Sequence, residues 1–133
     1  MRVVYDTNIL LTLTRREELK LFKEAVTSGR LVHVTSLFIL EELERVLVEK
    51  FEFTRQKAKI TTRVFAKLSV VVAPRKIEKV SRDPFDDHIL AAAKAGHADY
   101  IVTADKDLLV LGTYKETGIV TAASLRELLA GRS

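Results

Sequence analysis

Short apolar runs rich in β-branched residues alternate along this chain with longer stretches whose apolar residues recur every three or four positions. Arg2 to Tyr5 reads as a short buried strand. Helical pattern follows in two pieces, Thr7–Thr14 and Glu17–Ser28, with Gly29 as a stop signal. Leu31–Thr35 is strand-like, and Ser36 suits the N-cap of an amphipathic helix reaching about Lys50. Thr54 caps a further helix to about Leu68, and Ser69–Ala73 is a β-branched strand stopped by Pro74. Asp83-Pro84 opens a helix through I-L-A-A-A-K-A to Gly96, since Pro is favoured at the first helical position. Tyr100–Thr103 is a strand and Asp105–Leu111 a short helix. Ile119–Thr121 is a last strand, and Ser124–Ala130 a last helix. Short apolar strands alternating with helices predict an α/β fold around a mainly parallel, two-sided sheet.

Length and composition add bounds. At 133 residues, with no Pro- or Gly-rich linker and no internal repeat, one domain over residues 1–133 is expected. There is no cysteine, which excludes disulfides and thiolate metal sites. No apolar stretch reaches the ~18 residues of a membrane span. The opening M-R-V-V-Y-D lacks a signal-peptide layout, so a cytoplasmic protein is expected. The net charge of +4 permits a polyanionic partner without requiring one. Its distribution says more. Between Arg55 and Arg82 nine Lys or Arg stand against one acid, Glu78. Of seven aspartates, six fall in three clusters: Asp6; Asp83, Asp86 and Asp87; Asp105 and Asp107.

Those clusters are the candidate chemistry. Parallel strands share a carboxyl edge, where ligands sit at a switch in strand order. Asp6 directly follows one expected strand and Asp105 follows another by two residues, which places both on that edge. Helix capping is the plain alternative for each, because Asp is a preferred N-cap. It explains one acid per helix. It leaves over the extra first-turn acids Asp86, Asp87 and Asp107, which would repel their neighbours unless a cation lay among them. Oxygen-only ligands suit Mg²⁺ or Mn²⁺. The helix after Ser36 offers a further acid. Its apolar stripe is Ile39, Leu40, Leu43, Val46 and Leu47, and at about 100° per residue Glu41 points away from it. Glu42 and Glu44 flank the stripe on opposite edges, and periodicity does not choose between them.

Other constellations are missing or weak. No phosphate-binding glycine loop and no nucleophile elbow occurs. His33, His88 and His97 have no zinc spacing, although His88 is near enough to Asp86 to approach the site. Arg55, Lys59, Arg63 and Lys67 form one ridge of a helix beside the apolar row Ile60, Val64 and Leu68. That ridge is either a solvated face or a track for phosphates.

Taken together, D-T-N at Asp6–Asn8, S-x-x-x-x-x-E-L from Ser36 to Leu43, D-P-F-D-x-x-I-L-A-A-A from Asp83 to Ala93, and Y-I-V-T-A-D-K-D-L from Tyr100 to Leu108 resemble the PIN domain (PilT N-terminus). The likeness is strongest to VapC-type toxins and their single-domain relatives. It implies a three-layer α/β/α sandwich and a metal-binding, catalytic cluster of Asp6, Glu42, Asp86 and Asp105. The spacing from Ser36 selects Glu42. Asn8 and Thr103 match supporting polar positions, and Asp83 and Asp107 are further helpers. The implied activity is Mg²⁺- or Mn²⁺-dependent hydrolysis of RNA by water, leaving 5′-phosphate and 3′-hydroxyl ends. A cognate antitoxin and a homodimer are the implied partners. The competing reading is an RNA- or antitoxin-binding protein without strong nuclease activity. A phosphoacceptor receiver domain is a third, disfavoured because D-T-N replaces the adjacent acids such a domain needs after its first strand.

Overall fold

In the computed structural model, which describes residues 1–131, six strands and seven helices follow one another in the expected alternation. In chain order they are β1 (Arg2–Tyr5), α1 (Thr7–Thr12), α2 (Arg16–Thr27), β2 (Val32–Ser36), α3 (Leu37–Phe51), α4 (Arg55–Leu68) and β3 (Ser69–Val72). Then come α5 (Pro84–Ala95), β4 (Tyr100–Val102), α6 (Lys106–Leu111), β5 (Thr113–Tyr114), β6 (Thr117–Val120) and α7 (Ala122–Ala130). The helix starts are written in the sequence. Ser36 accepts from the Ile39 amide, Thr54 from Lys57, Asp83 from Phe85, and Thr121 from Ser124. Each satisfies an amide that the first helical turn leaves without a partner.

The sheet runs β3-β2-β1-β4-β6-β5, parallel throughout except for the final β5–β6 pair. Central β1 pairs in parallel with β2 on one side and β4 on the other, so the strand order reverses direction between β1 and β4. Helices cover both faces. On one, Phe22 of α2 and Phe65 of α4 pack together at 5.6 Å, and Phe22 meets Tyr5 and His33 edge-on. On the other, α5 ends so close to β2 that a Cβ at Gly96 would collide with Val34 Cγ1, so only glycine permits this approach. Val3, Val4, Leu43, Leu47, Ile89, Ile101 and Leu108 are fully or almost fully buried in the core. Each such aliphatic side chain contributes about 1.5–3 kcal/mol through removal from water.

Two expectations are corrected. The last strand is the second arm of a hairpin: β5 is only two residues long, and Lys115 in the turn takes φ +54°. On α4 the buried stripe is Ala58, Thr62 and Phe65, whereas Ile60 is 53% exposed. Phe65 reaches Phe22 across the layer and thereby sets which side of α4 faces inward.

Segment 73–83 carries no regular structure and is tied down by acids. Asp87 Oδ1 accepts from the amides of Val80 (2.9 Å) and Ser81 (2.7 Å). Glu78 accepts from the Tyr114 hydroxyl at 2.7 Å and pairs with Lys115 at 3.1 Å. Asp87, an apparent surplus acid in the sequence, therefore anchors a loop.

Candidate active site

The parallel pairing of β1 and β4, at the switch in strand order, brings Asp6 and Asp105 to one edge. Asp6 continues β1 by donating its amide to the Val102 carbonyl, at 3.0 Å. Its side chain occupies the N-cap position of α1 but makes no cap hydrogen bond. It accepts instead from the buried Thr103 hydroxyl at 2.7 Å. The same hydroxyl oxygen accepts from the Asp105 amide at 2.9 Å, so Thr103 couples the two strand-end acids. Asp105 and Asp83 do cap their helices, accepting from Asp107 N at 2.8 Å and Phe85 N at 3.0 Å. Capping and site formation thus coincide in those two residues and separate in Asp6.

Asp83, Asp86 and Asp105 each present a carboxylate oxygen within 4.8 Å of the others. Asp6 and Glu42 stand outside that closest group but line the same pocket, of about 340 Å³. Asp83, expected as a helper, is the exposed member of that group. Asn8 is exposed on the pocket wall, and the buried Thr7 hydroxyl, also lining it, has no hydrogen-bond partner among the described residues. Asp107 turns aside to a two-pronged pair with Arg82, at 3.0 and 3.2 Å. His88 stacks flat on Phe38, 3.6 Å between centroids, and does not line the pocket.

Glu42 and Glu44 of α3 line different pockets. Glu42 lines the acidic pocket, while Glu44 lies with Glu41 along a groove shared with Arg55 and Lys59. The Glu42 carboxylate is held by Arg45, which also grips Glu49 at 2.7 Å. Sequence reasoning passed over Arg45. The signal was its spacing of three and four residues from two glutamates on one helix.

The electrostatics are those of anions crowded together. Burial, reinforced by the charges of Asp105 and Asp83, pushes the Asp86 carboxyl up to about 7. Asp6 is also raised, first by burial and then by Asp105, against the stabilising Thr103 hydroxyl and the nearby amides of Asn8 and Thr7. Such repulsion is relieved by a cation among the oxygens. The donor set, all carboxylate and hydroxyl oxygen, fits a hard divalent ion.

Residues 2–107, most of the chain and all of this pocket, match the family model described as PIN domain. The chain belongs to the PIN domain family. Solved structures share its fold. One is VapBC2 from Rickettsia felis bound to a DNA fragment from their promoter, at 12% identity and TM-score 0.64, covering 91% of this chain and 98% of that one. Another is VapBC-1 from nontypeable Haemophilus influenzae, at 16% identity and TM-score 0.60, covering 90% and 96%. No curated protein matches by sequence. No helix of the described residues is long and apolar enough to cross a membrane.

Proposed function

We propose that this PIN domain is a divalent-metal-dependent endoribonuclease, the toxin partner of an antitoxin, acting on cytoplasmic RNA. The observation that carries the reading is the convergence of Asp6, Asp83, Asp86 and Asp105 from three separate chain segments on one open pocket at the switch in strand order. Asp86 and Asp105, with Asp83 beside them, would hold the ion, and Asp6 would join through its Thr103-fixed carboxylate. Glu42 would complete the set on release from Arg45. A bound Mg²⁺ or Mn²⁺ supplies Lewis acidity at the phosphate and an acidified attacking water.

The residues of the chain do the rest. Thr103 orients Asp6 and fixes the Asp105 backbone, which keeps the acids in place as charge develops. An acidic pocket repels RNA, so flanking phosphates need cations. Arg55, Lys59, Arg63 and Lys67 are exposed along α4 without an acid partner among the described residues. Arg45 borders both the acidic pocket and the groove that begins this ridge, a groove also lined by Glu41, Glu44 and Glu49. From Arg55 to Lys67 the ridge spans about 18 Å, room for roughly three nucleotides.

The test is cleavage of an RNA pool with Mg²⁺ or Mn²⁺, wild type beside Asp6→Asn. Wild type should cleave only with metal, leaving 5′-phosphate and 3′-hydroxyl ends, and the variant should be inactive. Equal activity, or 2′,3′-cyclic phosphate ends, defeats the proposal. The VapBC neighbours lend support to an antitoxin as partner. A small reading frame directly upstream would favour the toxin role, whereas its absence, together with weak cleavage, would favour the second reading, an RNA- or antitoxin-binding protein acting mainly in regulation or RNA processing.

A further inference from the structure

The acidic pocket has a wall that metal chemistry does not use. The last turn of α3 contributes Lys50 and Phe51 to it. Phe51 is 53% exposed and has no ring contact with another aromatic among the described residues. The backbone holds it there. Glu52, at φ +59°, reverses the chain immediately after Phe51, and the Phe53 amide returns to the Leu47 carbonyl at 3.0 Å. Phe53 is thereby the ring that turns in to pack against the core, with Lys57 over its face at 4.4 Å. Phe51 is left standing in the pocket with Leu11 and Val46 beside it. Of the two cations on this wall, Arg45 is occupied by Glu42 and Glu49, whereas Lys50 pairs with no acid among the described residues.

We infer that Phe51 and Lys50 form a nucleotide subsite beside the acid cluster, the base stacking on the Phe51 ring and the adjoining phosphate pairing with Lys50. The inference deepens the ribonuclease reading and rests on it for the neighbouring scissile phosphate. The three parts match a nucleoside phosphate in kind: an open aromatic face, an unpaired ammonium, and a reaction centre in the same pocket. An aromatic face accepts any base, so the subsite selects for strandedness more than for sequence. A base stacked on Phe51 must have left its duplex, which makes an unpaired strand the substrate class. The subsite is distinct from the α4 ridge, which offers phosphates cations but no aromatic face.

The experiment uses single-stranded oligoribonucleotides carrying 2-aminopurine at successive positions, bound to full-length Asp6→Asn protein so that cleavage does not intervene. At one position the fluorescence should be quenched. Phe51→Ala should abolish that quench and weaken binding on the order of tenfold, and Phe51→Trp should retain both. Lys50→Ala should lower affinity and flatten its salt dependence while leaving the quench at saturation. In the active background, Phe51→Ala should raise KM far more than it lowers kcat, and a duplex of the same sequence should bind poorly to wild type. A quench and affinity unchanged by Phe51→Ala, or equal binding of duplex and single strand, overturns the subsite. Failure of the parent reading looks different: a Phe51-dependent quench in a wild-type protein that cleaves no RNA with metal would leave the subsite standing and remove the nuclease.

Discussion

Neutralising Asp86 should make the metal-free protein more stable, the reverse of what loss of a buried ionised group usually does. Asp86 is 2% exposed, and its nearest carboxylate oxygens, from Asp83 and Asp105, lie within 4.8 Å. Its carboxyl is pushed from 3.8 to about 7, so the folded state binds this proton more tightly than the unfolded chain does. Above pH 7 the ionised group carries its full penalty, and the penalty is relieved as pH falls from about 7 toward 4. A difference of about 3 pH units at about 1.4 kcal/mol each corresponds to ~4 kcal/mol. Water in the adjoining pocket screens the cluster, which brings the expected gain for Asp86→Asn down to about 1–3 kcal/mol. The Ser81 hydroxyl, 3.2 Å from Asp86 Oδ2, can donate equally to an amide oxygen, so no partner is stranded. Urea denaturation in EDTA at pH 8 should show the variant more stable by that amount, with the advantage shrinking toward pH 5. Magnesium should reverse the order. At a hundred times its Kd it should stabilise wild type by about 2.7 kcal/mol, and the variant far less. A variant less stable than wild type in EDTA at pH 8, or an equal gain from Mg²⁺ in both proteins, would refute the reasoning.

Three further outcomes follow from the same structure. Charge reversal at Arg63 and Lys67 should raise KM more than it lowers kcat and flatten log K against log salt by about 0.7 for each phosphate no longer neutralised; a fall in kcat alone would remove the α4 track. Asp87→Ala strands the amides of Val80 and Ser81, which should cost about 2–4 kcal/mol and open residues 74–83 to limited proteolysis, and an unchanged cleavage pattern would count against the anchor. Burial holds His33 neutral, lowering its pKa from 6.5 to about 3, so its contribution is complete above pH 6.5 and lost as pH falls toward 3. In the Asp86→Asn background, where the Asp86 titration no longer opposes it, the His33 contribution should fall by ~2 kcal/mol between pH 6.5 and 5, and NMR detection of a protonated His33 ring in folded protein at pH 5 would contradict this.

The His33 ring also shows how far local reading goes. Ser69 Oγ donates to the Phe65 carbonyl at 2.6 Å, so it must accept from His33 Nδ1, which fixes the tautomer and leaves Nε2 buried without a partner among the described residues. Those residues come from β2, α4 and β3, and no spacing along the chain announces their meeting.

What the sequence determined by itself was whatever is decided within a turn of helix or a few residues of strand. Ser36, Thr54 and Asp83 stood where helices begin, and Asp6 and Asp105 stood at the ends of β-branched runs. Four motifs in order then carried the family. Capping, periodicity and strand propensity are local forces, so they leave local marks. Tertiary structure decided everything that depends on which segments become neighbours. The order β3-β2-β1-β4-β6-β5 set Asp6 against Thr103, 97 residues away, and drew Asp83 into the tightest group of carboxylates. It turned Asp87 to a loop, Glu44 toward a neighbouring groove and Glu42 toward the pocket, and it left Phe51 standing in the wall. Two carboxylates of equal pattern on one helix differ only in what the fold places opposite them, and that is a property of the packed chain.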